Sequence, residues 1–340
     1  MGFNWSALSE QLLNGFTVGS FYALIALGYT MVYGVLTMIN FAHSEFFMMG
    51  SYVGLFALTR MINAGWYDIS PVLVIVLAFL AGMAGAGITA ITVERLAYRP
   101  LRRAARLAPL ISAIGVSLFL QEFVRLLPAM FQAILGIKIG GNFIIPAAFQ
   151  KTVVGIFETF GGAKPKAYPG VLPAEGFDLL GLYVSYNRLL VVAISVLVMI
   201  GLYLLVQYSR MGKAMRAVSE DKDTAALMGI NVDQIISRTF LIGGALAGLA
   251  GVMMGMYYLQ IKVNMGFVPG IKAFTAAVMG GIGSIPGAMI GGYVLGIVEA
   301  VSVQFLPAVY KDVVAFSLLI LTLIFKPTGI LSERLTQKKM

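Results

Sequence analysis

The chain has 340 residues, of which 59% are hydrophobic and 11% charged, with mean hydropathy +0.89; a soluble domain is about 25% charged, so an ordinary soluble fold is excluded. Net charge is +9, but the basic residues sit mostly in short clusters between apolar runs, which fits loops obeying the positive-inside rule and not a nucleic-acid face. There is no cysteine, which removes disulfides, thiolate metal sites and cysteine nucleophiles.

The first ten residues, "MGFNWSALSE", lack a basic n-region, and the apolar run after them is too long for a signal peptide. It reads as a first span, 11–36. Taking roughly twenty apolar residues per crossing, further spans fall at 41–60, 71–97, 109–127, 188–208, 237–258, 287–304 and 311–326. A shorter piece, 270–281, is either a ninth crossing or a re-entrant segment buried by protein. With it the N-terminus lies outside; without it both ends lie inside. The fold class is therefore all-α, a polytopic transmembrane helix bundle of eight to nine spans in a single domain, 1–340. The runs are continuous, unlike the alternating segments of a β-barrel.

The loop "YRPLRRAAR", the loop 209–236 with Arg210, Lys213, Arg216 and Lys222, and the tail with Lys326, Arg334, Lys338 and Lys339 are assigned to the cytoplasm. "MINAGWYDIS" (61–70) has no lysine or arginine and reads as external. The long polar interval 128–187 is placed outside as an extracytoplasmic insertion. Its four lysines do not force it inside, because loops near this length escape the charge rule.

"INFAHSEFFMMG" (39–50) sets Asn40, His43, Ser44 and Glu45 inside a membrane-going segment and holds the only histidine. Asn40 can cap a helix running from Phe41 to about Arg60, with Glu45 near its positive end. The cluster is then a capped helix break. Alternatively the broken backbone lines a substrate route, or His43 and Glu45 couple protons. A lone histidine builds neither a triad nor a histidine-rich metal site, so the chain reads as non-catalytic and metal-free. Glu122 with Arg125, and Glu299, are further charges inside apolar sequence and read as interface or packing groups.

Gly244, Gly248, Gly251 and Gly255 are spaced 4, 3, 4. Gly283, Gly287 and Gly291 repeat every fourth residue, as do Gly292 and Gly296. Such stripes let helix backbones approach closely, and glycine also permits sliding or hinging. Residues 210–236 are too polar to cross yet rich in helix formers. They predict a helix from Met211 to Met228 stopped at Gly229 by a left-handed cap, exposing Glu220, Asp221 and Asp223. It is either a solvated surface helix or a docking element for another protein's groove. No phosphate-cradling GxxxxGK[ST] exists, since "RMGKAM" fails at the first glycine and the final hydroxyl. If transport is ATP-driven, the nucleotide site lies on another subunit.

The stretches "GYTMVYGVLTMINFAHSEFFMMGSY" (28–52), "ERLAYRPLRRAARLAPLISAIGVSLFLQ" (94–121), "YSRMGKAMRAVSEDKDTAALMGINVD" (208–233), "GIKAFTAAVMGGIGSIPGAMIGGYVLGIVEA" (270–300) and "YKDVVAFSLLILTLIFKPTGIL" (310–331) resemble a known family. It comprises the LivH-type permease subunits of bacterial ABC importers for branched-chain amino acids. The resemblance implies a multi-pass inner (plasma) membrane protein that pairs with a second, related permease. It implies two ATPase subunits carrying ATP and Mg below, and an extracytoplasmic binding protein delivering leucine, isoleucine or valine from above. No cofactor is implied on this chain. The loop 209–236 resembles the ATPase-contacting motif, acidic–Ala–Ala, three residues, then Gly. Asp223, Ala225 and Gly229 occupy its places, with Thr224 where the first alanine stands. Ser44 stands where relatives commonly have glycine. Rival readings are the same architecture carrying urea, short amides or a sugar, an ion-coupled secondary transporter using His43, Glu45 and Glu299, and a membrane scaffold or receptor.

Overall fold

The computed structural model describes residues 5–102, 104–105, 107–135, 138–139, 142–143, 147–172, 175–179 and 182–331. Arg103, Arg106 and the basic tail, Arg334 to Lys339, lie outside them. The nine apolar stretches read from the sequence are all helices. α1 (Trp5–Leu36) is buried without interruption over residues 19–32 and forms the centre of the bundle. α2 (His43–Asn63) is followed by a single turn, α3 (Trp66–Ile69). α4 (Pro71–Val93) starts where the Ser70 hydroxyl accepts from the Leu73 N–H, with Pro71 in the first turn. A π-helical turn, Glu94–Tyr98, then leads through the basic loop to α5 (Leu107–Leu135).

α5 does not end at residue 127 but continues through Pro128. A proline there leaves the Val124 carbonyl without its i+4 donor. The Gly162 N–H donates to that carbonyl at 3.0 Å, which replaces the lost bond. The interval 128–187 is thus partly helical. Beyond α5 come the two-residue pair β1 (Lys138–Ile139) and β2 (Asn142–Phe143), then α6 (Ala147–Phe160) and β3 (Lys166–Ala167). β4 (Gly176–Leu179) and β5 (Leu182–Ser185) form an antiparallel hairpin leading into α7 (Tyr186–Tyr208).

The polar loop splits into α8 (Arg210–Glu220) and α9 (Lys222–Leu227), after which come α10 (Val232–Tyr258) and β6 (Gln260–Ile261), paired antiparallel with β3. α11 (Phe267–Gly280), α12 (Ile285–Phe305), a 3-10 turn and α13 (Lys311–Phe325) complete the order. Among the described residues seven helices are long and apolar enough to cross a membrane. α2 is long enough but carries Glu45 and Arg60, and α11, at 14 residues, is short of a full crossing.

Two packed groups emerge. α10 lies against α4 and α2, α1 lies against α12 and α11, and a broad α1–α10 contact joins the two. Gly244 and Gly248 sit against Ala86, Gly82 and neighbouring residues of α4, Gly251 against Phe47 of α2, and Gly255 against Tyr168. One stripe therefore serves three partners in succession. Gly287 and Gly291 meet Gly280 and Ala276 of α11, and Gly292 and Gly296 meet Ala23 and Gly19 of α1. Gly283 is the exception. It has φ +96° and open space where a Cβ would stand, so it forms the turn before α12 and packs against nothing. Spacing alone did not separate a turn glycine from its packing neighbours.

A Cβ at Gly50 would fall on the Gly248 backbone, whereas one at Gly201 meets nothing. Gly50→Val is expected to cost about 1–3 kcal/mol by overpacking and to lower the unfolding temperature of the purified protein. Gly201→Ala is expected to leave it unchanged or raise it, and thermal unfolding of the two variants checks this.

Candidate functional site

α2 starts at His43, two residues later than predicted, and its N-cap position, Ala42, provides no side-chain cap. Asn40 instead holds the turn before the helix. Its Oδ1 accepts from the Ala42 N–H at 3.0 Å and from the Tyr98 hydroxyl at 2.6 Å. The His43 ring lies against Gly28 and Gly243, both within their helices, so α2 begins inside the bundle and not at its surface. α11 begins there too, because Gly266 and Gly270 abut Ser44. Two helix N-termini, each carrying partial positive charge, therefore meet at one residue.

Glu45 sits fully buried at this junction. Its Oε1 accepts from Ser117 Oγ at 3.0 Å and Gln121 Nε2 at 2.9 Å, both on α5, and from Ser44 Oγ at 3.3 Å. His43 is not its partner. The imidazole packs between Tyr29, 4.8 Å between ring centroids, and Phe46, 5.6 Å. Neither of its ring nitrogens has a hydrogen-bond partner among the described residues. The structure does not assemble a His43–Glu45 relay.

Beside the junction lies a chamber of about 1280 Å³, lined by residues of α1, the start of α2, α5, α10 to α13 and the β6 loop. Of the sequence-selected polar residues, Ser44 and Glu299 line it directly, and Glu45 is tied to it through Ser117 and Gln121. Lys272, Tyr22 and Asp312 also face it and were missed from sequence. Lys272 is buried in α11 and Glu299 in α12, with Nζ to Oε1 at 2.7 Å, and the Tyr22 hydroxyl donates to Glu299 Oε2 at 2.9 Å. Their separation along the chain, 27 and 277 positions, gives no local signal. Glu122 and Arg125 pair at 2.9 Å on an exposed face of α5, away from the chamber.

At the opposite end from Tyr258, the predicted single helix is broken at Asp221. Its extended backbone stops α8, and its carboxylate caps α9 by accepting from the Asp223 and Thr224 N–H groups. An aspartate two and three residues before free amides competes with helix continuation. Gly229 takes φ +82°, as the left-handed stop requires, and the Ile230 N–H reaches the Ala225 carbonyl at 3.1 Å in a Schellman-type turn. Glu220 and Asp223 are exposed, whereas Ala225 is buried and faces the bundle. Arg216 donates to the Val206 and Gln207 carbonyls and so caps α7. Leu227 and Met228, 88% and 79% exposed, form an apolar tip that sequence reading passed over as ordinary helix formers.

Behind this tip, Asp233 at the start of α10 pairs with Arg99 and with Arg102, the latter at 2.6 Å. Arg102 also pairs with buried Glu94, which accepts from Ser237 Oγ at 2.7 Å. The basic loop is therefore tied to α10 by ion pairs. Among the described residues no three His, Asp or Glu side chains gather to hold a metal ion.

These features accord with the relatives of the chain. The model of the family described as branched-chain amino acid transport system, permease component, matches residues 11–323. The chain is 46% identical to a high-affinity branched-chain amino acid transport system permease protein, BraD, of Pseudomonas aeruginosa, over 97% of both chains. It is 43% identical to the corresponding LivH protein of Escherichia coli K12, again over 97% of each. A probable LivH permease of Methanocaldococcus jannaschii is 29% identical over 94% of this chain and 92% of that one. No solved structure matches. The chain belongs to the permease components of branched-chain amino acid transport systems, and is a multi-pass protein of the inner membrane.

The Thr224 N–H, then the Thr224 hydroxyl and the Asp223 N–H, hold the Asp221 carboxyl below its ordinary range. A depressed carboxyl stabilises the folded form above its unfolded pKa, about 3.9, and that contribution is lost as pH falls through the lower folded value. Amide exchange over 222–227, corrected for intrinsic rate, is expected to stay slow down to about pH 4 and to quicken only below it. In Asp221→Ala it is expected to be fast already at neutral pH.

Proposed function

We propose that the chain forms one half of the membrane pathway of an ATP-driven, binding-protein-dependent importer, carrying leucine, isoleucine or valine by alternating access. The chamber carries this reading. It lies where two helix starts meet inside the bundle, and it offers both charged groups and aliphatic wall to a small zwitterion. A second, related permease faces this one, two ATPase subunits bearing ATP and Mg dock below, and a delivery protein docks on the outer segment 128–187. That segment lies at the Tyr258 end through β3 and β6, opposite α8 and α9.

The exposed tip Leu227–Met228, with Asp223 beside it, seats in the ATPase surface as a short helix in a groove. Motion of α9 passes through the Gly229 turn to α10, and through Asp233, Arg99 and Arg102 to the start of the basic loop and α4. The α2–α4–α10 group then shifts against the α1–α11–α12 group. Their seam includes Gly28 against Gly243, and Ser44 against Gly266 and Gly270. ATP drives the cycle only through unequal affinity of the ATPases for the two states.

In proteoliposomes holding the complete assembly, leucine and valine uptake is expected to need ATP and the delivery protein, and urea or ribose is expected not to compete. Uptake driven by an ion gradient without the ATPases overturns this mechanism. Asp223→Arg or Leu227→Asp is expected to cut uptake about tenfold or more, the size of a lost interface hot spot, with the membrane level of the protein unchanged. Gly229→Pro removes both the left-handed turn and the N–H that bonds Ala226, and is expected to leave ATP hydrolysis uncoupled from uptake.

A further inference from the structure

Four helices each send one polar side chain to the same part of the chamber wall: Tyr22 from α1, Lys272 from α11, Glu299 from α12 and Asp312 from α13. The Lys272 ammonium donates to Glu299, which the Tyr22 hydroxyl holds from its other oxygen. Asp312 Oδ1 is also 2.7 Å from the ammonium, but off hydrogen-bond alignment, so that oxygen keeps an unfilled acceptor position. One cation faces two carboxylates, a formal charge of −1. Burying ions in a membrane bundle is costly, and an apolar replacement of a buried pair is often as stable. Pinning helices together does not call for three charges on the wall of a cavity.

We propose that this cluster is the subsite that reads the zwitterionic end of an α-amino acid, Lys272 taking the carboxylate and Asp312 with Glu299 taking the ammonium. The assignment rests on the amino-acid permease reading above and names where that cargo is recognised. Binding is an exchange of partners. The cargo's carboxylate replaces Asp312 on Lys272, and its ammonium moves onto Asp312 and Glu299, so every charged group keeps an oppositely charged neighbour and the formal charge of the cluster is unchanged. Asp312, 44% exposed, is free to turn toward the cargo, while Glu299 is fixed by Tyr22. Ile114, Leu118, Met254, Val268 and Val303 line other parts of the same chamber and offer apolar surface to a branched aliphatic side chain. Lys262 and Lys311 also line the chamber, so its preference for an ammonium rests on the two carboxylates that converge at this point of the wall and not on the charge of the whole lining. A ligand lacking either charged group gives up one side of the exchange, Asp312 or Lys272 then losing the partner the cargo would have brought.

The absence of cysteine makes the test direct. Ala308→Cys, at an exposed point of the chamber rim, places a single thiol in this chain, and its labelling rate, read on the separated chain from the assembled importer, reports occupancy. Leucine is expected to slow labelling. 4-Methylpentanoate, without the ammonium, and 3-methylbutylamine, without the carboxylate, are expected to need at least about tenfold higher concentrations, the size of a lost charged hydrogen bond. Adding Asp312→Asn is expected to raise the half-protecting leucine concentration by about tenfold, measured against that variant's own labelling in leucine's absence. The double variant Lys272→Met/Glu299→Gln, which removes the buried pair together and leaves only the half-exposed Asp312 without its cation, is expected to abolish protection. Equal protection by all three compounds, unchanged protection in Asp312→Asn or in the double variant, or no protection by leucine in an importer that transports it, overturns the subsite and leaves the permease reading standing. A parent importer that neither transports leucine nor is protected by it overturns the permease reading itself.

Discussion

Helices in a bilayer gain nothing by expelling water from between them, so their cohesion depends on how closely their backbones approach. In this chain that approach is made by glycine and alanine. α10 reaches α4 through Gly244 and Gly248 and α2 through Gly251, and α12 reaches α1 through Gly292 and Gly296. The contacts gather the helices into two groups. The polar junction around Ser44 lies where α2 meets α11, beside the broad α1–α10 contact that joins the groups.

The same lack of water governs the interior charges. Glu45 is held by α5 hydroxyl and amide donors beside two positive helix ends, Lys272 by Glu299 and Asp312, and Glu94 by Arg102 and Ser237. Each buried ion thus draws its partner from another segment. The charges are also distributed by place: those at the chamber face a cavity, while those around Glu94 and Asp233 bind the basic loop before α5 to α10.

Much of the helix layout was legible in the sequence because an apolar run of about twenty residues has few alternatives in lipid. The short run 270–281 was rightly marked as different, and α11 does start inside the bundle. Boundaries set by local competition were harder. Asp221 both ends α8 and caps α9, and in sequence it looks like one more exposed acid on a single helix. Asn40 caps a turn and not the helix itself. The charge cluster at the chamber was half legible. Glu299 stood out as an acid in apolar sequence, but its partners lie on other helices, and Lys272 had no neighbour in sequence to mark it.

Pro128 gives the architecture a further property. The amide it lacks is supplied by Gly162, from the loop after α6, which donates to the buried Val124 carbonyl while Gly161 closes over the same atom. Pulling that corner away strands a carbonyl where no solvent waits to replace the donor. The loop after α6 and the C-terminal part of α5 are therefore stitched together, and α5 also supplies the serine and glutamine that grip Glu45. One proline's missing hydrogen thus joins the segment after α6 to the helix whose side chains hold Glu45.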